Sequence, residues 1–284
     1  MHSKFSGLLF LFITMTLQLY TQTNSTVTYL ANEGFLIESQ GKKILIDGIF
    51  DDKTINYADV PSDELLSSIT SSNSPFNDVD VLLVTHMHRD HFSSIPVGKH
   101  LLNNSQAILI CNSQTAEKFE SEFPDYDKIS SQVIISSPEL EKTTNLNVNG
   151  ISITTFGLLH STYFVKDDKG NEKDLHAKIK VNGYLVEIGD FSFMHTGDTL
   201  FPQHTSFFEN FELDKKDLDV LFLFGPDDES RRIVNEHMKP NEIILMHLPA
   251  EKSVVNEYYS PLKQIWDNVQ FLTEPMEMTK IKAN

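Results

Sequence analysis

Residues 86–91 read His86-Met87-His88-Arg89-Asp90-His91, which puts three imidazoles and one carboxylate within six positions. In an extended chain alternate side chains point the same way, so His86 and His88 can take hold of one ion from the same side. A turn directly afterwards would swing Asp90 and His91 toward a second position a few ångströms away. Neutral imidazole with carboxylate suits zinc first, and manganese or iron also. The apolar run at 79–85 leads straight into the motif. Ligand sites in sheet-based enzymes gather at the carboxyl ends of strands, which argues against a merely solvated His-rich turn. Four residues cannot complete two ion sites, so further ligands are expected at later strand ends. His160 closes the run at 153–160, and His247 closes the run at 243–247. Asp198 follows 191–195 in Thr196-Gly197-Asp198-Thr199, where Gly197 allows a tight backbone turn. Each alone would read as a polar strand-end residue. All three in that order after the first motif make a constellation.

The elements that must position these residues can be read from pattern and turn chemistry. Strands at 26–30, 35–38 and 43–47, with Asn32-Glu33-Gly34 between the first two, open the chain as an antiparallel meander. A short helix is predicted at 62–69, and the continuous β-branched run at 79–85 reads as a strand buried on both faces. Helix 92–102, strand 107–111, helix 113–122 and strand 132–136 follow. A second strand-rich stretch covers 146–148, 151–156, 178–181, 184–188 and 191–195, with Asn149-Gly150 and Asn182-Gly183 as hairpin signals. The last third alternates again: helix 206–212, strand 219–224, helix 228–238, strand 242–246, helix 256–267. Two similar halves, each a sheet with helices on its outer face, would pack sheet to sheet as a layered α/β sandwich. No linker divides them, so residues 23–284 are expected to form one domain.

The set Asp47, His86-x-His88-x-Asp90-His91, His160, Asp198 and His247 resembles the five motifs of the metallo-β-lactamase superfamily. Asn32-Glu33-Gly34-Phe35-Leu36-Ile37 near the start and Gly183-Tyr184-Leu185-Val186-Glu187 before Thr196-Gly197-Asp198 are similar to the ascorbate-6-phosphate lactonase-like branch, which itself resembles the N-acyl-phosphatidylethanolamine phospholipase D group. The resemblance implies a four-layer αβ/βα sandwich and two divalent metal ions. It places the first on His86, His88 and His160, the second on Asp90, His91 and His247, and Asp198 between them. Asp47 would accept the far N–H of a ligand histidine and so fix its ring. A water shared by two ions is deprotonated near neutral pH and can attack a carbonyl or phosphoryl centre. Asp90 and Asp198 are the catalytic candidates, orienting that water, with Asp90 able to pass a proton to the leaving group. The loop after His160 often walls the site in this superfamily, which makes Tyr163 and His176 candidates for substrate contact. Antibiotic-degrading members carry a cysteine in the second metal site. Cys111 lies on a different strand, so β-lactam hydrolysis is the weaker reading.

Composition bounds the rest. The 284 residues are 40% hydrophobic and 22% charged, enough to fill a sizeable core. A net charge of −17 repels nucleic acid and anionic membranes at long range, but bound divalent ions would still admit a small anionic substrate. With Cys111 as the single cysteine no intramolecular disulfide can form, and its apolar surroundings suit a small buried hydrophobe. Lys4 followed by the apolar run at 8–17 reads as a signal peptide over residues 1–22, which implies a secreted or periplasmic protein. That run is short for a membrane span, so an uncleaved anchor is the alternative and no stable membrane insertion is expected. His195 reads either as a support behind the Asp198 turn or as a core-facing strand residue, His204 and His237 as surface residues, and Asp227-Asp228 as a helix cap. Trp266, with Leu262 and Ile265, fits the core face of the last helix. The function expected is hydrolysis of an ester or lactone, or of a phosphodiester, in a small molecule. The rivals are a non-catalytic metal-bound binding module and a di-iron redox protein.

Overall fold

The computed structural model describes residues 25–282, so the expected signal peptide lies outside the described residues. The first half contains the strands β1 (Ser25–Ala31), β2 (Gly34–Ser39), β3 (Lys42–Ile46), β4 (Val81–Leu83), β5 (Ile108–Cys111) and β6 (Val133–Ile135). The next strands are β7 (Thr143–Val148), β8 (Ile151–Leu159), β9 (Phe164–Lys166), β10 (Glu172–Asp174), β11 (Lys180–Ile188) and β12 (Phe191–His195). The last are β13 (Val220–Leu223), β14 (Glu242–Leu245), β15 (Val269–Phe271) and β16 (Met278–Ile281). They form two seven-stranded sheets, ordered β16-β1-β2-β3-β4-β5-β6 and β15-β14-β13-β12-β11-β8-β7, and a small β9–β10 hairpin. In each large sheet the strands nearest the site run parallel, β3 to β6 in one and β12 to β15 in the other. Their carboxyl ends therefore emerge along a single edge of each sheet.

Period-two alternation assigns every apolar strand residue to one of two faces. Ile44, Val81, Leu83 and Ile110 of the first sheet meet Ile153, Val186, Phe193 and Phe222 of the second in a buried inter-sheet core. The opposite face of the first sheet, with Leu45, Leu82 and Leu109, packs on Leu65, Ile69, Val97, Leu101 and Phe119. Those five come from the helices Asp63–Thr70, Ser94–Asn103 and Ser113–Glu122. The far face of the second sheet, with Leu185, Met194 and Leu221, packs on Phe201, Phe208, Ile233, Leu262 and Trp266. The result is the expected helix–sheet–sheet–helix sandwich. Tyr184 pins the two sheets together: its buried hydroxyl lies 2.8 Å from the Val84 carbonyl and 3.1 Å from that of Ile110.

Asn149-Gly150 makes the predicted tight turn, with positive φ at both residues. Asn182-Gly183 does not. It sits inside β11, and the chain reverses instead at Gly189, whose φ is +56°. Tertiary packing explains the difference. Asn182 spends its amide on the Ser136 carbonyl, and a Cβ at residue 183 would meet Leu158 at 2.7 Å and Phe156 at 2.9 Å. The last helix also differs from expectation. A helix runs over Lys252–Tyr258 and a 3₁₀ turn over Ser260–Gln264, because Pro261 cannot continue the ladder. Leu262 and Trp266 are buried as predicted, but Ile265 is 47% exposed. The helix expected at 228–238 ends its α-helical part at Ile233 and widens into a π turn over Val234–Met238. β9, β10, β15 and β16 were not foreseen.

Gly157, three residues before His160, lies under the crossing Pro138–Glu139 backbone, where a Cβ would approach the Glu139 carbonyl oxygen to 2.3 Å. Gly157→Val should cost about 1–3 kcal/mol by overpacking. Urea unfolding would read this as a lower midpoint, and an unchanged midpoint would show that the crossing segment yields freely.

Candidate metal centre

The anchor of the site is Asp47, directly after β3, buried and held at φ +45°. Its Oδ1 accepts the Thr85 backbone N–H at 2.9 Å, and its Oδ2 accepts the Thr85 hydroxyl at 2.5 Å. Oδ2 also lies 3.0 Å from His91 Nδ1. Thr85 thus leaves the end of β4 in one fixed orientation, and the chain then turns, with His91 and Phe92 N–H groups on the His88 carbonyl. Asp198 reaches the same place through Gly197, at φ +55°, where any side chain would strike Thr85 at 2.8 Å. His247 follows β14 with φ +54°. His160 follows β8, its Nδ1 2.8 Å from the Ser161 carbonyl.

All seven residues expected to ligate converge. The ligand atoms of His86, His88, His160 and Asp198 lie within 4.8 Å of one another, and so do those of Asp90, His91 and His247. Asp198 touches both groups. Its Oδ2 is 3.2 Å from His160 Nε2 and 3.8 Å from His247 Nε2, and its Oδ1 is 3.1 Å from His91 Nε2. The ring tautomers follow from the hydrogen bonds. Since the Thr85 hydroxyl donates to Asp47, it accepts from His86 Nδ1 at 3.0 Å. That leaves His86 Nε2 as a bare lone pair, fully buried and without a hydrogen-bond partner. His160 Nε2, freed in the same way by the Ser161 carbonyl, faces His88 Nδ1 at 3.0 Å. Buried nitrogen lone pairs converging beside a carboxylate are a donor set fitted to a divalent cation.

Electrostatics point the same way. Burial and the neighbouring His91 ring hold His86 well below its ordinary value, and burial with the adjacent His160 pushes His88 down to about 4. For His91 burial opposes the charge, but the Asp198 and Asp90 carboxylates outweigh it and raise the ring well above its ordinary value. Asp198 is the mirror image: His91 and His247 overcome its burial and hold it well below the carboxylate range. Burial opposes a charge on His247 too, but the Asp198 and Asp90 carboxylates raise it above its ordinary value.

Three neighbours were not singled out from sequence. Glu33, read as part of a turn and of the family motif at 32–37 but given no role, is completely buried, and neither of its carboxylate oxygens has a hydrogen-bond partner. Burial and the nearby Asp198 carboxylate push it well above its usual range. Asn32, from the same turn, donates to the Asp90 carbonyl at 3.1 Å. Tyr57 lies flat against His247, with ring centroids 5.9 Å apart and planes 5° apart. Burial and the Asp90 carboxylate push its hydroxyl up to about 12, so it stays a donor. The motif at 32–37 marked the first two without giving them a role, and nothing in the irregular segment around residue 57 marks the third.

His176 stands at the rim, its ring 4.0 Å from that of His160 and 4.9 Å from that of His88, with Tyr163 5.6 Å further out and 55% exposed. His195 is buried as expected, against the Glu33 carbonyl at 3.1 Å. His204 is not a surface residue: it is buried, accepts the Leu159 N–H at 3.0 Å and meets Glu141 at 3.0 Å, bracing the strand end before His160. His237 is half-buried beside Glu209 and Glu236. Asp227 caps its helix by accepting the Ser230 N–H, and Cys111 is buried in the outer core.

A sandwich of this topology with this cluster at the strand ends defines a class, and the sequence comparison agrees with it. The profile of the beta-lactamase superfamily domain matches residues 42–255, and the chain belongs to the metallo-β-lactamase superfamily. Among curated relatives, a UPF0173 metal-dependent hydrolase of Pyrococcus horikoshii is 26% identical over 235 residues, 78% of this chain and 83% of that protein. The UPF0173 protein YddR of Bacillus subtilis is 27% identical over 125 residues, 41% of this chain, and the match spans only 48% of that protein. Among solved structures, Igni18, a metallo hydrolase from the archaeon Ignicoccus hospitalis, shares the fold with a TM-score of 0.59 at 18% identity, over 91% of this chain and 98% of its own.

Asp47→Ala should strand buried donors at Thr85 and His91, at about 1–3 kcal/mol for each group left unsatisfied. It should also weaken metal binding about 10–100-fold. Chemical unfolding and competition with a chelator measure the two effects separately. Native-like values for both would remove Asp47 from its anchoring role.

Proposed function

We propose that this chain is a metal-dependent hydrolase holding two divalent ions, zinc first with manganese or iron as alternatives. His86, His88 and His160 take one ion, Asp90, His91 and His247 the other, and Asp198 lies between them. The observation that carries the reading is the convergence of these seven side chains, from loops of both sheets, into two groups sharing Asp198. Bound ions would activate water for attack and polarise the oxygen of the bond being cleaved. The residues of the chain do the rest. Asp47 holds His91 and Thr85 in place. Asn32 fixes Asp90, whose carboxylate stands between His91 and His247, 3.7 Å from each Nε2. There it can orient the attacking water and return its proton to the leaving group. Tyr57, beside Asp90, offers a hydroxyl donor, and His176 with Tyr163, next to His160, offers a further contact for substrate.

Small-molecule esters, lactones and phosphodiesters are the substrate classes we favour. The second site carries His and Asp where antibiotic-degrading relatives place a cysteine, so β-lactams rank below them. The net charge of −17 disfavours nucleic acid as a substrate. We also propose export, secreted or periplasmic, from the basic start and short apolar run of residues 1–22.

Elemental analysis of the purified protein should find close to two divalent metals per chain, and chelation should abolish hydrolysis that zinc or manganese restores. Asp90→Asn should lower turnover of the best substrate in a screen of lactones, phosphodiesters and β-lactams by at least about 10²-fold while the fold persists. Wild-type turnover in this variant would favour the non-catalytic binding module. N-terminal sequencing of the exported product should begin after roughly residue 20–25. An intact Met1 on a cytoplasmic product would refute export.

A further inference from the structure

The loops that carry Asp198 and His247 do not end at the cluster. Leu200 lies two residues past Asp198, and Pro249 two residues past His247. Gly225 follows Phe224, whose ring packs edge-on to His247 at 5.3 Å. Leu200, Gly225 and Pro249 form one wall of an open groove of about 590 Å³. The opposite wall is the helix Lys252–Tyr258 with the 3₁₀ turn after it, through Val254, Tyr258 and Leu262. None of the ligating residues lines the groove; Asp198 and His247 are joined to it through Leu200 and Pro249, two residues further along their loops. Its position follows from topology: β12, β13 and β14 are parallel, so the loops after them lie side by side along one sheet edge.

Its lining is mostly apolar. The charged side chains that reach it are already engaged: Asp227 accepts the Ser230 N–H, and Arg231 is paired with Asp228. Asp227 and Arg231 are the two charged residues of the lining, and along it Tyr258 is 68% exposed and Ile265 47% exposed. A wall built on the loops of the metal centre and facing water with apolar groups suits the non-reacting part of a substrate better than a separate ligand. The volume exceeds what a small acyl group fills.

We propose that this groove seats an alkyl or acyl chain of the substrate, so that the enzyme prefers esters or lactones bearing a long apolar arm next to the scissile bond. The assignment rests on the hydrolase reading for the reaction, but chain binding can be measured without turnover. Trp266, the single tryptophan, directly follows Ile265 on the groove wall, and its fluorescence can report occupancy. Metal-loaded protein titrated with n-alkyl carboxylates from butanoate to decanoate should bind about 2–4-fold more tightly per added methylene until the groove is full. Tyr258→Ala should weaken decanoate binding severalfold and leave butanoate unchanged. Val254→Phe, which fills the groove from a half-buried position, should shorten the chain length at which affinity levels off. Equal affinity across the series, or the same length dependence in both variants, overturns the proposal. So does a protein that dimerises with concentration and is dissociated by decanoate, which would assign the groove to a second copy. Ester hydrolysis with no preference between acetyl and octanoyl groups would sink the groove and keep the hydrolase. Length-dependent binding by a protein that hydrolyses no ester would keep a chain-binding groove and sink its role in catalysis.

Discussion

One buried carboxylate sets the geometry on which the rest of the site depends. Asp47 joins three parts of the chain that are remote in sequence: the end of β3, the end of β4 through Thr85, and the turn through His91. Thr85 in turn presses against Gly197, so the loop carrying Asp198 is packed on the residue that Asp47 orients. The Thr85 carbonyl also receives the Asn112 side chain and the Asn182 backbone N–H, which extends the same fixation to the second sheet. A ligand set spread over both halves of the chain can be held to fractions of an ångström only if its supports are locked in this way.

The charge pattern around this anchor is unusual for a protein interior. Histidines 86, 91 and 160, aspartates 90 and 198, and Glu33 are all buried within one small region. Concentrating carboxylates away from water is costly unless positive charge compensates them. The carboxylates raise His91 and His247 above their ordinary values against the effect of burial, while burial and the Asp198 carboxylate push Glu33 well above its usual range. A fold that tolerates this arrangement is organised around cations. Its stability and its affinity for them are then two readings of one electrostatic balance.

Much of this was legible in the sequence, for identifiable reasons. Buried parallel strands are continuous apolar runs, so β4, β5, β13 and β14 announced themselves, and ligand residues at their ends stood out by position. Asn149-Gly150 forms its turn because local preference and tertiary demand agree there. At Asn182-Gly183 they conflict: a buried amide bond and a tight approach to Phe156 and Leu158 override the turn propensity. β15 and β16 are short edge strands whose partners are more than twenty residues away, and no local pattern reveals such pairing. The roles of Tyr57 and Glu33 were invisible for the same reason. Their meaning lies in what the fold brings beside them, Asp90 and His247 for one and Asp198 for the other.

The division of ligands between the two sheets has a mechanical consequence. His86, His88, Asp90 and His91 come from the first half of the sandwich, and His160, Asp198 and His247 from the second. An ion coordinated by both sets acts as a cross-link between layers otherwise held by apolar contact and by ties such as that of Tyr184. Prying the halves apart would require breaking coordination bonds in the same step, so a loaded chain would resist opening through the height of its unfolding barrier as well as through its equilibrium stability. A loaded centre would then serve as a rivet for the sandwich that surrounds it.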